Sequence, residues 1–89
     1  METQANASQI SLIDKFYVPK NHSEAFKQKM NYNRNFVSQL PGYVKGDAFE
    51  QKDNEDNLIV ITIAVWENQG YLDNAKNSIQ TEFKRIGFN

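Results

Sequence analysis

The sequence contains no cysteine and a single histidine, His22, among its 89 residues. Without cysteine the chain has no disulfide and no thiolate, a composition typical of proteins in a reducing compartment. One isolated histidine, with no carboxylates at ligand spacing, gives neither a metal ion nor haem a predicted binding site. We therefore predict a cytoplasmic protein that binds neither a metal ion nor haem.

The basic residues are scattered along the chain, so the sequence also lacks a cluster of positive charge. Ten basic and eleven acidic residues leave a net charge of −1, whereas a nucleic-acid-binding face needs clustered positive charge. No apolar run approaches the roughly 18 residues that cross a bilayer. The opening segment, METQANAS, lacks the basic start and apolar core of a secretion signal. We predict no nucleic-acid partner, no membrane partner, a disordered tail over residues 1–8 and one domain over residues 9–89.

Three segments have the apolar pattern of β-strands. They are residues 10–18, 43–51 and 58–66. Only six residues separate the second from the third, so these two should form an antiparallel hairpin. Gly46, in the middle of the second strand, is a residue type that strands usually avoid. Two interpretations stay open: a bulge in an edge strand, or space left for a ligand or a partner chain.

Two other segments have the pattern of amphipathic helices. The first begins near Asn21, which stands three residues before Glu24 in a box-like capping signature, and it ends at Pro41. The second covers residues 69–86 and ends at Gly87, a residue type common in C-terminal caps. Together with the strands, the helices give the order β-α-β-β-α.

This order predicts an α+β protein with the ferredoxin-like fold, β-α-β-β-α(-β), and an antiparallel sheet. The third strand then lies inside the sheet and the second at its edge, with both helices on one face. Only Phe88 and Asn89 follow the second helix, so the fourth strand of this fold is predicted to be missing.

The third strand, LIVITIAVW, is apolar on both faces, although the two helices can cover only one. Leaving the set Ile59, Ile61, Ile63 and Val65 in water would forgo roughly 1.5–3 kcal/mol per side chain. Several such losses together would rival the whole stability of a small domain. We therefore predict a homodimer whose two sheets pack face to face.

Four short motifs, taken in order, resemble the antibiotic biosynthesis monooxygenase (ABM) domain family. They are Asn33-Arg34-x-Phe36-x-x-x-Leu40-Pro41-Gly42-Tyr43, Phe49-Glu50-Gln51, Val65-Trp66-Glu67 and Glu82-Phe83-x-Arg85-Ile86-Gly87-Phe88. The resemblance covers roughly residues 9–88. It implies a dimeric α+β barrel with a pocket between sheet and helices in each subunit. Some members of the family oxidise polycyclic aromatic substrates with dioxygen, without metal or flavin.

The resemblance also implies a site. Cofactor-free oxygenation needs a pocket for the aromatic body, hydrogen bonds to the forming phenolate and a proton acceptor. Asn33, the one polar member of the first helix stripe, would orient the substrate, and Trp66 would wall the pocket. Tyr71 completes the predicted catalytic set as a relay, although Tyr32 and Tyr43 suit that role equally. The alternatives are a core asparagine bonded to backbone and a tryptophan that only fills the core.

Two charged residues have open interpretations as well. Asp14 lies on the same face of its strand as Leu12 and Phe16. It is either a base facing the helices, or a carboxylate that lies near the exposed strand end or is paired to a lysine. Arg34 is either a solvated or interface arginine or an anion-binding residue. His22 is predicted to be a surface residue of the first helical turn.

The predicted function is a cofactor-independent monooxygenase acting on a small aromatic, phenolic or quinol-like substrate. Many ABM members carry a histidine on or near the second helix, and this chain has none there, which favours the alternative of a non-catalytic dimeric small-molecule-binding module. A purely structural dimer with a filled pocket is the third hypothesis. A functional cavity should approach ~300 Å3, so cavity volume distinguishes the third hypothesis from the other two.

Overall fold

The computed structural model describes residues 8–87, which form three strands and two helices. The elements are β1 Ile10–Val18, α1 Ser23–Val37, β2 Tyr43–Lys52, β3 Leu58–Trp66 and α2 Gln69–Ile86. Most of the predicted tail, residues 1–7, lies outside the described residues, as do residues 88–89. Ser8 is described, and its hydroxyl donates a hydrogen bond of 3.1 Å to the carbonyl oxygen of Glu67.

The described residues form one antiparallel sheet in the order β1-β3-β2. In β1, Ile10 pairs with Trp66 and Val18 with Leu58, so the two strands match along their full length. Because β3 lies in the middle and β2 at an edge, the predicted sheet order is confirmed. Residues 8–87 thus have a ferredoxin-like α+β fold with three strands instead of four.

The bulge in β2 lies at a different residue from the one expected. The register against β3 slips between Tyr43 and Lys45, so Val44 is the extra residue and Gly46 pairs normally with Ala64. A side chain on Gly46 would overlap the Tyr43 hydroxyl and come within 3.1 Å of the Ile63 carbonyl oxygen. The interpretation of Gly46 as the bulge is therefore wrong, because the extra residue is Val44. The absence of a side chain on Gly46 leaves room for the Tyr43 hydroxyl.

The predicted start of the first helix is also wrong. The chain passes through a 3-10 turn, Lys20–His22, and α1 begins at Ser23 with no side-chain cap from the described residues. Instead of Asn21, the Asn57 side chain from the β2–β3 connector accepts a hydrogen bond from the Lys20 backbone N–H, at 3.1 Å. The hydrogen-bond acceptor at the entry to the helix thus comes from Asn57, which is distant in sequence, and not from the predicted local residue Asn21.

The end of α1 and both ends of α2 depend on local backbone geometry. Helix α1 stops at Val37, earlier than predicted, and the turn that follows reaches Gly42, which has a positive φ of 82°. Helix α2 has the predicted bounds. Asn68 Oδ1 accepts from the Tyr71 N–H at 3.1 Å, and Gly87 closes the helix at φ 76°.

Both helices lie on one face of the sheet and form two separate core clusters with it. One cluster contains Val37, Trp66, Leu72 and Ala75. The other contains Val18, Leu58 and Val60. Along β3 the residues between the clusters on this face are Thr62 and Ala64, so the packing is interrupted at the middle of the sheet.

The opposite face, which we call the outer sheet face, consists of Ser11, Ile13, Lys15, Tyr17, Lys45, Asp47, Phe49, Gln51, Ile59, Ile61, Ile63 and Val65. Ile13, Tyr17 and Phe49 are 63%, 71% and 56% exposed. Isolated exposed apolar residues are ordinary, but a contiguous apolar patch marks an interaction surface. This face is the one for which a partner was predicted, and the dimer stays a prediction.

Candidate functional site

A cavity of about 560 Å3 lies between the sheet and the two helices, where the packing is interrupted. Its volume is well above the roughly 300 Å3 at which ligand pockets begin. Strands and helices both contribute to its apolar wall, which includes Leu12, Ala64, Met30, Leu72, Ile79 and Phe83. The cavity therefore argues against the hypothesis of a structural dimer with a filled pocket.

Short side chains explain why the cavity is open. Gly46, Thr62 and Ala64 lie side by side on the central sheet, and none of them reaches the helices. Aromatic pairs occupy the regions on either side of them. Phe16 and Phe26 have ring centroids 5.2 Å apart, and the Tyr43 and Trp66 rings meet edge-on at 5.5 Å. Large rings at both ends and small residues between them leave the middle unfilled.

Asn33 and Trp66 both line this cavity, and each has a polar side-chain atom that is buried. Asn33 Oδ1 and Trp66 Nε1 are buried and have no hydrogen-bond partner among residues 8–87. Leaving a buried polar atom unpaired costs about 1–3 kcal/mol, so such atoms are rare outside binding sites and strained regions. Asn33 Oδ1 is thus not bonded to backbone, and Trp66 belongs to both the core and the cavity wall.

Tyr71 lies elsewhere. Its ring covers Gly42, where an added side chain would overlap it, and its backbone N–H is held by the Asn68 cap. It does not contribute to the cavity wall, so the structure brings Asn33 and Trp66 together without Tyr71. The tyrosine that does line the cavity is Tyr43, whose ring contacts that of Trp66.

Asp14 faces the cavity from β1, as the parity argument predicted, although it is exposed at the surface. In the β1–β3 register it stands opposite Thr62, which also lines the cavity. Sequence reasoning overlooked Thr62. The signal was present, because it is the one polar residue in LIVITIAVW and shares the parity of Val60 and Ala64.

Three basic residues, Lys29, Arg34 and Lys76, line the cavity together with this single acid. Arg34 and Lys76 are exposed, and neither forms an ion pair within residues 8–87. Sequence reasoning noted Arg34 but overlooked Lys76, which flanks the apolar stripe of α2 beside Leu72 and Ile79. Cations at the edges of an apolar helix stripe are usually solvated, so the pattern alone gave no reason to select it.

A hydrogen-bonded cluster outside the cavity joins the two helices. The Tyr32 hydroxyl of α1 donates to Glu82 Oε2 of α2. Arg85 donates to both oxygens of the same carboxylate, from Nε at 2.9 Å and from Nη2 at 2.7 Å. The Arg85 hydrogen bonds, followed by that of Tyr32, lower the pKa of Glu82 to about 2, and the Glu82 hydrogen bond raises the pKa of Tyr32. Tyr32 therefore joins the helices and does not line the cavity.

The described residues provide no metal-binding cluster and no helix that could cross a membrane. Among residues 8–87, no group of three histidine, cysteine or carboxylate side chains is placed to hold a metal ion. Neither α1 nor α2 is long and apolar enough to cross a membrane. His22 is exposed in the 3-10 turn, where a surface position was expected.

No family model matches the sequence, and no curated protein matches it. Among solved structures, the chain is similar to a mutant form of SnoaB, a cofactor-independent oxygenase from Streptomyces nogalater. The match covers 88% of this chain and 82% of the SnoaB chain, with a TM-score of 0.67 and 18% sequence identity. At 18% identity, structural similarity is evidence for a shared fold and not for a shared function. The comparison therefore confirms the predicted ferredoxin-like α+β fold, and membership of the ABM family stays a prediction.

Proposed function

We propose that the chain is a cofactor-independent monooxygenase of the ABM type, acting on a small aromatic substrate with phenolic or quinol-like hydroxyls. The observation that supports this most directly is that two residues lining an apolar cavity of about 560 Å3 each carry a buried, unpartnered polar atom, Asn33 Oδ1 and Trp66 Nε1. One accepts a hydrogen bond and the other donates one. A phenolic ligand offers both complements, and its ring system suits the apolar wall.

The chemistry requires a substrate that first gives a proton to a base. The resulting anion then transfers an electron to dioxygen. In an anthrone-like substrate, a carbon bearing two hydrogens becomes a carbonyl. One oxygen atom forms that carbonyl, and the other leaves as water with both hydrogens. The Trp66 N–H would stabilise the phenolate oxygen as charge develops, and Asn33 Oδ1 would orient a second hydroxyl. Asp14, the one carboxylate residue of the described chain that lines the cavity, would accept the proton.

The fold adds support of a general kind, because it is shared with an oxygenase that works without a cofactor. Fold likeness alone does not determine function, so the residues in the cavity carry the proposal. The proposed functional unit is a homodimer formed through the outer sheet face, which leaves the cavity on the helix side accessible in both copies.

A second candidate is a non-catalytic module that stores or senses an apolar metabolite in the same cavity. The specific observation that favours it is the exposure of Asp14, since a carboxylate open to water is a weaker catalytic base than a desolvated one. The two candidates differ in turnover and not in binding.

Oxygen uptake by metal-stripped protein tests the proposal, with anthrones, hydroquinones and naphthols as substrates. Asn33→Ala and Trp66→Phe should each lower uptake, by about ten- to a thousandfold if their hydrogen bonds act in the transition state. Asn31→Ala, an exposed position on the same helix, is the matched control and should leave uptake unchanged. Binding without uptake across the whole panel would replace the oxygenase with the binding module.

A further inference from the structure

The charge on the cavity wall differs in sign from that of the whole chain. The chain has a net charge of −1, yet the wall carries three basic residues, Lys29, Arg34 and Lys76, and one acid, Asp14. A concave site lined mainly by one sign of charge raises the local concentration of ligands of the opposite sign. The wall therefore favours an anionic ligand over a neutral or cationic one.

The neutral and the charged polar residues of the cavity wall differ in burial. The unpartnered atoms of Asn33 and Trp66 are buried, and both are neutral. Arg34 and Lys76 also line the cavity, but they are exposed to solvent. A ligand that satisfies both sets has a neutral hydroxyl at its inner end, an apolar body and an anionic group at its outer end.

The two exposed cations reach the cavity from different helices. The Lys27 ammonium lies 3.4 Å from the Glu50 carboxylate of β2, which places that flank of α1 over β2. Arg34 follows Lys27 by seven residues and so lies on the same flank. Lys76 belongs to α2. Since neither is paired with a carboxylate in residues 8–87, both are available to an incoming anion.

We infer that the cavity takes aromatic hydroxy acids, whose carboxylate is held by Arg34 and Lys76 while the hydroxyl end meets Asn33 and Trp66. This inference rests on the proposed function to the extent that the cavity must be a ligand site. It goes beyond that function by naming a charged group that the ligand must carry. Arginine and lysine at the wall would select against the corresponding ester or the plain phenol.

The test compares hydroxynaphthoic acid, its methyl ester and naphthol by titration calorimetry at low and at high salt. Quenching of Trp66, the only tryptophan in the sequence, gives a second readout from the cavity wall. The acid should bind about tenfold more tightly than its ester at low salt, and the difference should shrink as salt screens the exposed charges.

Variants assign the effect to residues. Arg34→Gln and Lys76→Gln should each weaken binding of the acid by about two- to fivefold and leave the ester unchanged. Lys84→Gln, an exposed lysine of α2 away from the cavity, is the control and should change neither. Equal binding of acid and ester, or an effect of Lys84→Gln as large as that of Lys76→Gln, overturns the inference and leaves the ligand site intact. If none of the three compounds binds, the ligand site and the proposed function fail together.

Discussion

Asp14 of β1 and Thr62 of β3 are paired directly across the sheet, and both side chains line the cavity. Residues opposite each other in an antiparallel pair have Cβ atoms about 4.5–5.5 Å apart, within reach of each other's side chains. The carboxylate and the hydroxyl thus form a polar pair on the sheet side of the cavity. Asn33 lines the same cavity from α1.

If Asp14 accepts the substrate proton, Asp14→Asn removes the base and keeps the shape of the side chain. Oxygen uptake should fall by about a hundredfold or more, which is the usual contribution of general base catalysis. Binding of the substrate should change little, as measured by Trp66 quenching. Asp73→Asn, on the exposed side of α2, is the control. Normal uptake by Asp14→Asn would assign proton transfer to another group or to water.

The Tyr32–Glu82–Arg85 cluster should make stability depend on pH in the acid range. The folded state lowers the pKa of Glu82 from 4.5 to about 2. A carboxylate with a depressed folded pKa contributes stability above its unfolded pKa and loses that contribution as pH falls through the folded value. Glu82→Gln should therefore flatten the dependence of unfolding free energy on pH between these two values. Chemical denaturation at a series of pH values measures this, with Glu55→Gln in the exposed connector as control. An unchanged slope in Glu82→Gln contradicts the contribution of the cluster.

The outer sheet face predicts a specific effect on oligomeric state. Ile13 is 63% exposed on edge strand β1, so Ile13→Glu should fold as a monomer while placing a charge in the proposed interface. Light scattering at micromolar concentration should show a dimer for the parent chain and a monomer for the variant. Ala25→Glu, on the exposed side of α1, should stay dimeric. A parent chain that is itself monomeric would refute the dimer.

Gly46 and Tyr43 should be energetically coupled. Gly46→Ala puts a methyl group against the Tyr43 hydroxyl and should destabilise the protein by about 1–3 kcal/mol. Tyr43→Phe removes the hydroxyl, and the double variant should recover part of that loss. Denaturant unfolding of the four proteins gives the coupling energy, which residues in contact usually show. Additive effects would mean that the strain lies against the Ile63 carbonyl instead.

Helix ends that depend on nearby residues were predictable from the sequence, whereas a helix start and a bulge that depend on distant contacts were not. Helix α2 has its predicted bounds because Asn68 and Gly87 cap it locally. Helix α1 starts later than predicted because Asn57, 37 residues away from Lys20, supplies the acceptor at its entry. The bulge at Val44 likewise depends on how the β2 register meets β3.

The same distinction applies to the candidate site. Helical and strand periodicity placed Asn33, Trp66 and Asp14 on surfaces that face the cavity. Tyr71 stands in the first turn of α2, where periodicity does not tell which way a side chain points. Its ring packs on the turn at Gly42 and does not line the cavity. The volume of the cavity also had no sequence signal, since it depends on short side chains from β2 and β3 lying side by side.

The backbone at Glu67, just after Trp66, is tied at both of its polar groups. Its N–H donates to the Gly42 carbonyl at 2.8 Å, and its carbonyl accepts from the Ser8 hydroxyl. Two other chain segments thus anchor the strand end that carries the indole, whereas the Tyr32–Glu82–Arg85 cluster joins α1 to α2 outside the cavity. We therefore expect ligands of different size to leave the indole in place and to displace the helices instead.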